Sequence, residues 1–209
     1  MARAAIVAAG LRLGSRGLVV ASEGNLSIRL GDTVLITPSG RRKDELAVED
    51  IVEVPLDGNG ATPDRGHPRG LRPSLDIAIH RAIYLARPDV AAIAHAHLAA
   101  SLGLTIVGQV PDPADLPETA LLLPRLPYVP FAEMGSAVLA AAVAAALTDR
   151  GPVGDVPLAE AILLERHGAI AVGPDLVLAG DRLELVNLLC RVKRDVLLLR
   201  AAIPDHSGS

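Results

Sequence analysis

Two histidines separated by one alanine end the stretch AIAHAH, residues 92–97, and a third stands in ERHG, residues 165–168. Side chains at i and i+2 of a β-strand project to the same face. A strand ending here would aim the imidazoles of His95 and His97 into one space, where a pair of rings can chelate a divalent cation. A third ligand must come from elsewhere. His167 offers one at the tip of an expected hairpin, where Gly168 lets the backbone turn tightly. Three histidines with one open position is a common arrangement for catalytic zinc, whereas structural zinc favours cysteines. The chain has a single cysteine, Cys190. Each histidine also has a plainer explanation, as a core or loop imidazole with an ordinary hydrogen-bond partner. That explanation suffices for His67, in a Pro/Gly-rich loop, and for His206, in the C-terminal tail.

Particular elements must deliver these rings. VAAIAHAH reads as a buried strand, and EAILLERHGAIAVG as two strands around a turn at Arg166-His167-Gly168. Residues 2–17 read as an amphipathic helix stopped by Gly17. NLSIRLGDTVLIT reads as a hairpin turned by Gly31-Asp32, followed by the turn TPSG. DELAVED is expected as a short acidic helix, IVEVPL as a strand, and residues 57–72 as a surface loop. SLDIAIHRAIYLA is a helix with Ser74 as candidate N-cap. LAASLGLTIV and SAVLAAAVAAALTDR are further helices. Residues 109–126 show little periodicity, and LPYVPF is a short extended piece. A helix from about Leu176 to Ala202 precedes a frayed tail, residues 203–209, expected to be disordered. The alternation predicts the α/β class: one three-layer α/β/α domain over residues 1–209 with a central, mainly antiparallel sheet.

Composition narrows the function. Half of the 209 residues are hydrophobic, yet there is one Phe, two Tyr and no Trp. The core must be aliphatic, and little is available for stacking on bases. Net charge is −4. The one basic cluster, Arg41-Arg42-Lys43, runs straight into Asp44-Glu45 and reads as a solvated turn, so nucleic acid is not an expected partner. No apolar run reaches the roughly 18 residues of a membrane span. The apolar N-terminus is interrupted by Arg12 and Arg16 and reads as a helix rather than a signal peptide. Cys190 reads as a buried, inert thiol. The cytoplasm is the expected compartment.

The ordered set EGNLSIR, ITPSG, RPSLDIAIHRAIYLARPDVAAIAHAH, PFAEMGS and LLERHGAIAVG covers roughly residues 3–200. In these motifs the chain resembles the class II aldolase/adducin family. The resemblance implies that His95, His97 and His167 bind a divalent metal, usually zinc. It implies that Asp76, at the place of the family's glutamate, is the proton-transfer acid/base and a possible fourth ligand of the empty enzyme. Aspartate is shorter by one methylene, about 1.5 Å. The plainer role for Asp76 is to complement the N-terminus of its helix. His80, at i+4 from Asp76, also matches a family position and can face the same pocket.

In phosphate-binding members the anion is held at tight turns and a helix N-terminus. The matching residues here are Gly24, Asn25, Ser39, Gly40 and Ser74, although turn chemistry alone also accounts for such residues. Leu75 departs from the pattern, replacing a serine hydroxyl by an apolar branch. PDPADLPETALLL lacks the tyrosine with which aldolases of the family protonate the aldehyde fragment, and Tyr128 reads as strand packing. The resemblance implies a zinc-dependent lyase that cleaves a ketose or ketose 1-phosphate reversibly through a metal-stabilised enediolate, as a homotetramer. The alternatives are a sugar-phosphate dehydratase, epimerase or decarboxylase on the same fold, and a non-catalytic adducin-like assembly module.

Overall fold

The computed structural model describes residues 1–58, 67–151 and 157–203. Its elements are α1 (Ala2–Ser15), β1 (Asn25–Leu30), β2 (Thr33–Ile36), β3 (Val52–Pro55), α2 (Ile77–Ala86), β4 (Ala92–Ala96), α3 (Ala99–Ile106), α4 (Pro117–Leu122), β5 (Tyr128–Val129), α5 (Ala137–Thr148), β6 (Ala161–Leu164), β7 (Gly168–Gly173) and α6 (Leu176–Ala202). The seven strands form one sheet in the order β3-β2-β1-β4-β7-β6-β5. Neighbours are antiparallel except β5 and β6, which run parallel, so the sheet is mixed.

The alternation of side chains builds two different faces. Ala92, Ala94 and Ala96 of β4 and Ala169 and Ala171 of β7 share a core with Ile6 and Leu13 of α1, Leu104 of α3 and Leu183, Val186 and Leu189 of α6. Methyl side chains let a long helix lie close against the sheet. On the opposite face Ile93, Ile162, Ile170 and Val172 pack with Ile79 and Ile83 of α2 and Val143 and Leu147 of α5. Burying one such branched side chain stabilises the fold by about 1.5–3 kcal/mol. The result is the expected three layers, helix over sheet over helix. Cys190 lies buried in the first core, and burial pushes its thiol up to about 12. Among the described residues no helix is long and apolar enough to cross a membrane.

The expected acidic helix at DELAVED does not form. Two 3-10 turns, Lys43–Glu45 and Val48–Asp50, replace it, with Leu46 extended between them. Seven residues are too few for a helix without packing support. Leu46 and Ile51 gain more by entering the core on an irregular path. Ser74 is not the N-cap of α2, which begins at Ile77 with Asp76 in the cap position. Lys43 is not solvated. It is 2 % exposed, and its ammonium donates to the carbonyls of Ser22 (2.6 Å) and Arg41 (2.8 Å). Residues 109–126 contain the short helix α4 with proline in its first turn, where a missing N–H costs nothing. The loop expected over 57–72 and the tail over 203–209 lie partly outside the described residues.

Candidate metal centre

The site lies at one end of the sheet, where the middle strand β4 runs out. His95 is its penultimate residue and is 1 % exposed. It projects to the same face as Ile93, as the strand period requires. His97 follows just beyond the strand end. His167 arrives from the β6–β7 turn. Arg166 there adopts φ +54 and Gly168 φ +132. The buried Thr105 hydroxyl of α3 accepts from the Arg166 N–H at 3.1 Å and fixes the turn against the first helical layer. A side chain at Gly168 would meet the Ala96 carbonyl oxygen at 2.3 Å, so glycine is what lets the hairpin tip reach β4.

The three rings converge. Each of the three histidines has a ligand atom within 4.8 Å of those of the other two. Ring centroids are 4.9, 4.9 and 5.0 Å apart, with interplanar angles of 69–75°. Edges therefore point at a common centre instead of stacking. His95 Nδ1 donates to the Ala169 carbonyl at 3.0 Å, which leaves Nε2 as the bare nitrogen facing the centre. Such an outer hydrogen bond commonly orients a metal-binding histidine. His167 Nε2 is buried with no hydrogen-bond partner. A buried nitrogen without a partner is costly, and a cation is one group that satisfies it. The donor set fits a divalent ion of the zinc type: three imidazoles and a nearby carboxylate. Burial, and then the neighbouring rings, lower the pKa of His95 well below the usual histidine value. Burial also lowers that of His167, although Asp76 opposes it. Both rings are neutral in the fold, the form a metal requires.

Asp76 is 5 % exposed. Its carboxylate does not cap α2. Instead Oδ2 accepts from Asn25 Nδ2 at 2.7 Å and lies 3.8 Å from His95 Nε2, while Oδ1 is buried without a partner. Because His95 is neutral, that 3.8 Å contact is not an ion pair. Gly24 holds φ +71, and an added Cβ there would meet the His95 carbonyl oxygen at 2.5 Å, so glycine is what lets the β1 start lie this close to the histidine strand.

Ser74 is buried, and its Oγ accepts from the Asp76 N–H at 3.3 Å. Ser39 and Gly40 are exposed on a turn bound to the segment that leads into α2: Ser39 N–H donates to Arg72 O at 2.9 Å and Ser74 N–H to Thr37 O at 3.2 Å. Asn25, Ser74, Asp76 and the histidines thus share one region, with Ser39 and Gly40 on the adjoining turn. Leu75 is 68 % exposed. Sequence reasoning passed over Glu23, whose carboxylate lies 3.6 Å from His97 Nδ1. It also passed over Tyr84, buried on α2 and bonded to Ser27 at 2.7 Å. Neither carries a local signal beyond proximity to the GN turn or to His80.

Residues 4–193 match the family described as class II aldolase and adducin N-terminal domain. The chain is 32 % identical to an L-fuculose phosphate aldolase of Methanocaldococcus jannaschii over 178 residues, covering 84 % of this chain and 86 % of that one. It is 34 % identical to a methylthioribulose-1-phosphate dehydratase of Acidiphilium cryptum over 203 residues, covering 90 % and 89 %. The crystal structure of L-fuculose-1-phosphate aldolase from Thermus thermophilus superposes with a TM-score of 0.80 at 28 % identity, covering 98 % of this chain and 99 % of that one. Metal-type geometry at the end of a mixed sheet, and a match running over nearly its whole length, make this chain a member of the class II aldolase/adducin family.

Proposed function

We propose that this protein is a divalent-metal-dependent lyase that cleaves a ketose or ketose 1-phosphate by a reversible retro-aldol reaction. His95, His97 and His167 would hold the ion, with zinc the expected metal. The convergence of those three rings on one centre beside the Asp76 carboxylate is the observation that carries the reading. When bound, the ion supplies Lewis acidity to the substrate's carbonyl and adjacent hydroxyl.

The chain's own groups do the rest. Asp76 moves the proton. In the cleavage direction the carbon–carbon bond breaks, the hydroxyl that becomes the aldehyde oxygen gives its proton to water, and Asp76, entering the step protonated, hands its proton to the carbon left electron-rich and is reprotonated from solvent. In synthesis Asp76 removes that proton. Ser39, Gly40 and Ser74 offer polar groups for the substrate's far end. The homo-oligomer expected of the family remains part of this reading, as does the cytoplasmic compartment. Purified protein carrying about one metal per chain, and releasing an aldehyde from a ketose 1-phosphate, is the expected result. Protein with no metal affinity and no turnover on phosphorylated or free ketoses overturns it.

A second reading is dehydration of a ketose 1-phosphate on the same centre. It is favoured by Leu75, which departs from the aldolase pattern, and by the similarity to a dehydratase. Loss of water without carbon–carbon cleavage on the same substrate panel identifies it.

A further inference from the structure

A chain of buried side chains leads away from Asp76, and every donor and acceptor in it is dictated. A carboxylate only accepts, so at Asp76 Oδ2 the donor is the Asn25 amide nitrogen, 2.7 Å away. That fixes the amide's other end: Asn25 Oδ1 faces His80 Nε2, which must donate to it. A neutral imidazole with a proton on Nε2 has a bare Nδ1, and Ser27 Oγ sits 2.6 Å from it and donates. The Ser27 oxygen then accepts from the Tyr84 hydroxyl at 2.7 Å. Asn25, Ser27, His80 and Tyr84 are 2 %, 0 %, 0 % and 0 % exposed, so water cannot scramble the order. Burial keeps His80 neutral, lowering it to about 4 against the opposing pull of Asp76.

We propose that His80 is a positioning residue, and that this relay reserves one oxygen of Asp76 for proton transfer. Oδ2 stays held by Asn25 in both protonation states of the carboxyl. Oδ1, buried and without a partner, is the atom that receives and returns the proton. The Asn25 side chain, committed at both ends, acts on the acid and not on a substrate anion. The inference rests on the assignment of proton transfer to Asp76.

The test pairs two substitutions that differ in where they keep a nitrogen. Gln places its amide nitrogen near the Nε2 position and preserves the donor to Asn25. Asn reaches only the Nδ1 position and loses that donor. H80Q retains most of kcat, while H80N loses about 100-fold in kcat, the scale of a roughly 1 Å misplacement, with KM and bound metal unchanged. Equal kcat in the two variants at matched Tm, or a loss falling on KM, overturns the proposal. A second arm needs no substrate. Nitrogen-15 NMR of the wild-type protein shows His80 as the Nε2–H tautomer, with an Asn25 amide slow to exchange and still slow in H80Q. An Nδ1–H tautomer, or a freely exchanging Asn25 amide, rejects the relay even if no ketose is turned over. A correct tautomer without turnover rejects only the proposed substrate class.

Discussion

His95 and His97 face each other nitrogen to nitrogen, Nε2 to Nε2 at 3.1 Å. One must donate unless a cation lies between them. His95 cannot, because its single proton sits on Nδ1 and is given to Ala169. In the ion-free ring set His97 therefore carries its proton on Nε2. To offer that nitrogen to a metal, His97 must carry the proton on Nδ1 instead, the side on which Glu23 lies 3.6 Å away.

Glu23 is thus expected to favour the metal-binding tautomer of His97. Its carboxylate is half exposed, so E23A leaves stability within about 0.5 kcal/mol. The same change weakens metal affinity by about tenfold, the low end for loss of an outer partner. Competition against a chromophoric chelator measures it, and unchanged affinity refutes the role.

Metal removal has its own signature. Adding zinc at about 100 times its dissociation constant to chelator-stripped protein stabilises the fold by about 2.7 kcal/mol. For a chain of 209 residues that raises Tm by roughly 5–10 °C. H95A and H167A remove the shift. A variant of either that keeps it disproves the ligand set.

The pH dependence has a definite sign. His80, His95 and His167 all have folded-state pKa values below the unfolded histidine value of about 6.5. The unfolded chain binds protons first as pH falls, so the neutral rings favour the fold above pH ~6.5 and that contribution disappears below it. For His80 the loss runs down to about 4. Ion-free protein is predicted to lose on the order of 1 kcal/mol per pH unit through His80 between those limits, with His95 and His167 acting in the same direction. Denaturant melts at neutral and mildly acidic pH read it. A flat profile there contradicts the neutral, buried rings.

Much of this was legible in the chain, and the rest failed for physical reasons. The i, i+2 pair announced a shared face, and the RHG turn announced a hairpin tip. Helix α6 has the boundaries its pattern predicted. Lys43 misled because a lysine in a run of charges is ordinarily solvated, whereas here backbone carbonyls take its ammonium. Ser74 misled because a cap preference is local, while the turn at residues 74–76 is set by the bond from Ser74 N–H to Thr37. The roles of Asn25 and His80 depend on a contact between residues 55 apart, which no periodicity encodes.

A substitution at Leu75 tests phosphorylated against free substrates. At 68 % exposure its replacement by serine is neutral to the fold. If the substrate is a ketose 1-phosphate, L75S adds a hydroxyl donor to a charged group. That lowers KM by about tenfold or more. Initial-rate measurements on a phosphorylated and a free ketose decide it, and an unchanged KM for the phosphate ester removes the anion from that corner.

Gly168 and Gly40 make a controlled comparison, because both lie in the φ-positive region where an L side chain is strained. Around Gly40 nothing lies within 4 Å of an added Cβ, so G40A is expected to cost only the backbone strain, about 1–2 kcal/mol. At Gly168 the same methyl would lie 2.3 Å from the Ala96 carbonyl oxygen and 3.0 Å from His97 Cα. Those are backbone atoms of the histidine strand and cannot step aside cheaply. G168A must push the hairpin tip away from β4, and His167 goes with it. The predicted cost exceeds that of G40A by at least about 2 kcal/mol. Metal affinity is expected to fall in G168A and to hold in G40A. Chemical denaturation and a metal titration on both variants test this. Equal affinities would mean that the third ring does not depend on the close approach of the β6–β7 turn to β4.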